Sequence, residues 1–69
     1  MEFNEYVNNI NIRAELIHDT QVRIYNELNN DVKEIKTFRE AYQALRYAYE
    51  INTGKKLKPG QIVIEKEVF

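Results

Sequence analysis

The chain has 69 residues, a formal charge of -1, and neither cysteine nor tryptophan. It also lacks serine, so disulfide staples, Cys-ligated metal sites and Ser or Cys nucleophiles are excluded. No apolar run approaches the ~18–20 residues of a membrane span, and the acidic start (Glu2, Glu5) is unlike a signal peptide. A small soluble protein in the cytoplasm, folded as one domain over 1–69, is the expectation.

A hydrophobic fraction of 43% suits a globular chain. A core of this size rarely supplies more than ~3–5 kcal/mol by itself, so self-association or a bound partner is an expected source of stability. Residues 1–31 carry a balance of -4 and residues 32–69 one of +3, so the halves are expected to complement each other.

Residues 3–36 admit two readings. Phe3, Tyr6, Val7, Ile10, Ala14, Ile17, Ile24, Tyr25, Leu28, Val32 and Ile35 share a stripe of about 100° on a helical wheel. Ile12, Leu16 and Val22 fall off it, and Asn and β-branched residues are poor helix formers. The strand reading accounts for more. Ile10, Ile12, Ala14 and Leu16 alternate with polar residues, and Val22 and Ile24 flank Arg23. His18-Asp19-Thr20 and Asn29-Asn30-Asp31 supply turn residues. A three-residue loop at 18–20 pairs Leu16 with Val22, Ala14 with Ile24 and Glu15 with Arg23. A second at 29–31 pairs Leu28 with Val32 and Glu27 with Lys33. Apolar then meets apolar and opposite charges oppose, which favours a three-strand antiparallel meander.

A helix is predicted from Thr37 to Asn52, with Thr37 as N-cap, Glu40 at N3 and Gly54 just past its end. Phe38, Ala41, Tyr42, Leu45, Ala48 and Tyr49 form an apolar face at helical period. That face is expected to pack on Ile10, Ile12, Ala14, Leu16, Val22, Ile24 and Leu28. Residues 54–60 read as a Gly/Pro loop, and 61–69 as a β-branched strand. The fold class is therefore α+β: the meander, one amphipathic helix on it, and a short C-terminal strand. The alternative is a helical hairpin with a strand tail.

The helix carries a second apolar strip, Ala44, Tyr47 and Ile51, and an outward polar strip of Arg39, Gln43, Arg46 and Glu50. Tyr47 and Ile51 either cover a sheet edge and dock Phe3 and Tyr6, or they form a contact surface with Ala44 and Arg46. Tyr and Arg are enriched at binding hot spots, and this partner-binding set is the one expected to carry function. The C-terminal strand, Ile62 to Val68, is a further candidate for pairing with a partner's sheet, with Glu65, Lys66 and Glu67 as possible edge guards.

Lys55, Lys56 and Lys58 follow the helix C-terminus, where cations complement the dipole. With Arg39 and Arg46, and with Lys33 and Lys36 nearby, they would make a phosphate-binding patch, although a charge of -1 is unusual for a nucleic-acid binder. His18-Asp19 has the composition of a catalytic pair but sits in a turn. Gly54 and Gly60 do not form a phosphate loop. No catalytic residue, metal site or cofactor is expected. The expected function is a non-catalytic interaction module that binds and modulates a protein partner or associates with itself. The Asn, Ile, Lys and Glu bias suits an AT-rich bacterial or phage genome, and small phage-encoded inhibitors of a host or defence protein belong to the expected class. A nucleic-acid-associated regulator is the alternative.

Overall fold

Alternation decides residues 12–37. In the computed structural model, which describes residues 3–65 and 67–69, three antiparallel strands follow one another: β1 (Ile12–His18), β2 (Gln21–Asn26) and β3 (Val32–Thr37), in the order β1-β2-β3. A short helix, α1 (Phe3–Val7), precedes them, and α2 (Ala41–Thr53) follows. The tail forms a two-stranded ribbon, β4 (Val63–Ile64) with β5 (Glu67–Val68). The fold is α+β, with the meander, the packed helix and a C-terminal strand pair.

The first hairpin has the register that charge and apolar matching require. Leu16 faces Val22, Ala14 faces Ile24 and Glu15 faces Arg23. Arg23 and Glu15 form an ion pair at 2.6 Å. An irregularity after Leu16 lets His18 pair with Gln21, so the turn itself is Asp19-Thr20 and both members of His18-Asp19 are exposed.

The second hairpin differs from the expected pairing. Ile24 faces Glu34 and Tyr25 faces Val32, with a bulge between these rungs; Leu28 does not meet Val32, and Glu27 does not meet Lys33. The asparagines explain it. The Asn26 side chain accepts the Leu28 N–H at 2.9 Å, and the Asn29 side chain accepts that of Asp31 at 2.9 Å. Asn30 adopts the left-handed conformation (φ 59°), and its N–H donates to the Asn26 carbonyl at 2.7 Å. These local bonds end β2 at Asn26 and leave Leu28 exposed at the loop tip. Exposed cross-strand pairs are worth only tenths of a kcal/mol to about one, so the turn prevails.

The helix starts later than predicted. Thr37 is the last residue of β3 and pairs with Gln21, and the Phe38 N–H continues the ladder by donating to the Thr20 carbonyl at 2.8 Å. Glu40 takes the N-cap position, where the Gln43 side chain accepts its N–H at 3.1 Å. At the other end Gly54 closes the helix in the left-handed conformation (φ 72°), as its position predicts.

The helix also presents a different face. Ala44, Ala48 and Ile51 lie in the core with Ile12, Ala14, Val22, Ile24 and Tyr6. Tyr42 is exposed, as are Ile10, Leu16 and Leu28, all four of which were expected inside. Alanines let the helix approach the sheet closely, while Val22, Ile24 and Ile12 fill the layer between; a face of tyrosines would hold the two apart. Phe38 packs against this core from outside the helix.

The predicted strand 61–69 folds on itself. Val63 pairs with Val68 and Ile64 with Glu67, and Glu65 occupies the left-handed region (φ 49°) at the turn. Lys66, within that predicted strand, lies outside the described residues. Among the described residues the ribbon joins no strand of the main sheet. Instead residues 54–63 form a strap across the back of α2. The Leu57 N–H donates to the Glu50 carboxylate at 2.8 Å, and Arg46 donates to the carbonyls of Gln61 at 2.8 Å and Lys58 at 3.4 Å. Arg46 and Glu50 of the outward polar strip thus dock the strap, and Glu50 is buried beneath it.

Candidate interaction surface

Facing residues on antiparallel strands share a side of the sheet. Ala14, Ile24 and Glu34 therefore lie on the helix side, and Glu15, Arg23 and Ile35 on the other. Nothing among the described residues covers that second side. It presents Arg13, Tyr25 and Val32 in one row and Glu15, Arg23 and Ile35 in the next. Val32 is 44% exposed and Ile35 53%. Arg23 is the centre of this face: its guanidinium is paired with Glu15 and stands 4.8 Å from the Tyr25 ring centroid. Its Nε is buried and has no hydrogen-bond partner among the described residues, so the side chain is held by charge and stacking rather than by a full set of donors.

The two sheet edges differ. On β1, the N–H and C=O of Ala14 point away from β2 and are both taken by the Asn52 side chain, each at 2.8 Å. The Ile12 N–H is taken by the Asn9 carbonyl at 3.0 Å. Asn52 thus stands where a neighbouring strand would, and Arg13 adds a bond to the Asn52 carbonyl at 3.3 Å. Beside this edge lies a cleft of about 400 Å³, lined by Leu16, Leu45, Tyr49 and Val63 among others.

Among the described residues the β3 edge has no such cap. The Phe38 N–H bonds to Thr20, so on β3 the even-numbered residues turn to β2. The backbone groups of Ile35 and Thr37 therefore face outward. The helix side of the same strand is anchored: the Tyr6 hydroxyl donates to Glu34 at 2.7 Å, and Lys36 Nζ stands 4.7 Å from the Tyr47 ring centroid. Burial pushes the Tyr6 phenol well above its ordinary pKa, and the adjacent Glu34 carboxylate pushes it further.

The sequence-predicted residues are distributed as follows. Ala44 and Ile51 are core, not an open surface. Tyr47 is half-buried, with its ring 5.8 Å from Phe3 and 5.2 Å from Phe38, which is the docking of the N-terminal segment that its spacing allowed. Arg46 is committed to the strap. Arg39, Lys55 and Lys58 are exposed. Lys56 lies 4.6 Å from the Phe3 ring centroid. Lys36 and Lys56 thus flank one aromatic cluster, and Arg46 lies beside its Phe38 and Tyr47 with its guanidinium taken up by the carbonyls of Gln61 and Lys58. Among the described residues no three His, Asp or Glu side chains are grouped to hold a metal ion. No described helix is long and apolar enough to cross a membrane.

Sequence reasoning missed Asn52, Glu34 and the open face. Asn52 follows Ala48 by four residues and Leu45 by seven, so a polar residue in phase with an apolar face was the available signal. Ile35 was read only as part of the helical stripe, and Val32 otherwise only as the partner of Leu28.

Neither protein-family models, nor curated proteins, nor solved structures yield a match to this chain. The functional reading therefore rests on the chain's own geometry.

Proposed function

We propose that this chain is a small protein-interaction module, acting through the uncovered side of the meander and the β3 edge. The observation that supports it is the asymmetry of the sheet: β1 is capped by side chains from its own chain, whereas β3 offers outward backbone groups beside exposed Val32 and Ile35. Unpaired edges and apolar sheet faces are recurrent sites of association. Binding there modulates the partner by occupying its surface. Arg46 and Glu50 of the polar strip, and the strip Ala44, Tyr47 and Ile51, no longer enter, because they are used within the fold.

The test is site-specific photo-crosslinking from Val32, 44% exposed, with the loop tip Leu28, 77% exposed, as the control. Discrete adducts from Val32 but not from Leu28, to a second copy or to another protein, are the expected result. Adducts of equal yield from both positions, or from neither, overturn the reading.

A further inference from the structure

We infer that the occupant of the β3 edge is β3 of a second copy, running antiparallel about a twofold axis at Ile35, so that two meanders become one six-stranded sheet. This rests on the interaction-module reading above and names its partner.

Charge selects the register. Twofold symmetry and the need to keep each side chain on its own face allow only even shifts of one strand against the other. With Ile35 opposite Ile35, Glu34 of each copy faces Lys36 of the other, twice. Shifting the axis one residue toward the N-terminus sets Glu34 against Glu34. Shifting it one residue toward the C-terminus sets Lys36 against Lys36. Directly opposed like charges destabilise and opposite charges stabilise, so of these three the axis at Ile35 is the self-complementary one.

The backbone agrees. The N–H and C=O of Ile35 turn outward, so this central rung is one at which the copies exchange both hydrogen bonds. Both charged groups are held in place beforehand, Glu34 by the Tyr6 hydroxyl and Lys36 against the Tyr47 ring, which lowers the ordering cost of pairing. On the open side the two Ile35 side chains meet and cover each other. The bulge at Lys33, whose ammonium is turned back to Asp31 at 2.9 Å, ends the usable edge and keeps a longer strand from adding in another register. A formal charge of -1 imposes little repulsion between copies.

The experiment uses the whole chain, which has no cysteine of its own. Light scattering on a sizing column is expected to give twice the monomer mass at low and at high salt. Ile35→Cys should be captured as a disulfide-linked dimer on mild oxidation, because facing residues of a hydrogen-bonded pair bring their Cα atoms to about 5.5 Å. Leu28→Cys should not. Ile35→Lys changes an exposed side chain and should weaken self-association by roughly tenfold or more without loss of helix signal in circular dichroism. Lys36→Glu alone should dissociate the dimer, and mixing it with Glu34→Lys should restore a mixed dimer. A dimer that survives Ile35→Lys overturns the β3 pairing. A monomer that still yields Val32 adducts with another protein overturns the self-pairing and leaves the interaction surface standing. A monomer without any Val32 adduct overturns both.

Discussion

Replacing Asn52 tests the way β1 is closed. Its amide makes two hydrogen bonds at 2.8 Å to the backbone of Ala14, a residue only 7% exposed. Each neutral hydrogen bond contributes about 0.5–1.5 kcal/mol net, so Asn52→Ala removes about 1–3 kcal/mol from that source. The orphaned N–H and C=O of Ala14 would add a desolvation cost, but the neighbouring cleft of about 400 Å³ lets water reach them. A loss of about 2–3 kcal/mol follows. A domain of this length has roughly 3–10 kcal/mol in all. The melting temperature should fall by about 8–24 °C, read by circular dichroism, with urea titration for the free energy. Asn52→Asp sharpens the argument. It keeps an acceptor for the Ala14 N–H but sets a carboxylate against the Ala14 carbonyl, so it should be worse than Ala at neutral pH. Below about pH 4 the protonated acid regains a donor, and the gap to wild type should narrow. An Asn52→Ala loss under about 0.5 kcal/mol, or an Asn52→Asp deficit that ignores pH, would refute the edge-cap account.

Tyr6→Phe removes the hydroxyl that donates to Glu34 and should cost about 1 kcal/mol, a charge-assisted bond discounted because Glu34 is half-exposed and can be resolvated. Because the folded-state phenol pKa is raised, wild-type stability is fully present below about pH 10 and falls as the unfolded chain ionises above it; Tyr6→Phe should lack that part of the alkaline loss in denaturant titrations at stepped pH. Arg46→Ala frees the strap from α2, and hydrogen exchange should rise at 57–63 before it rises in the sheet. Ile24→Ala opens the most enclosed part of the core and should cost about 2–5 kcal/mol, enough to leave a large unfolded fraction at 37 °C in the sizing profile. Gly54→Ala meets no atom within 4 Å, so its cost is the left-handed backbone alone, about 1 kcal/mol in thermal melts.

The first hairpin and the C-cap of α2 were legible in the sequence because they rest on local chemistry. Alternation from Ile12 to Ile24 picks out a strand pair, Glu15 and Arg23 fix its register, and Gly54 marks the one backbone conformation that a helix end of this kind needs. The second hairpin was less legible, because competing side-chain bonds from Asn26 and Asn29 outweigh an apparent match of charges. The choice of helix face was decided only in three dimensions. Both strips of α2 are apolar at the correct period, and nothing local distinguishes Ala44-Ile51 from Tyr42-Tyr49. Close packing distinguishes them: the sheet contributes Val22 and Ile24, both fully buried, and only alanines on the helix leave room for them. The same rotation turned Arg46 and Glu50 from an outward face into anchors for residues 57–61 and took Ala44 and Ile51 out of any surface. The uncovered side of the sheet followed in turn, since a chain with a single long helix can cover only one side of a three-strand sheet. Sequence thus determined the first hairpin with its register and the end of α2. Tertiary packing decided which faces were consumed, and so which residues were left to meet another molecule.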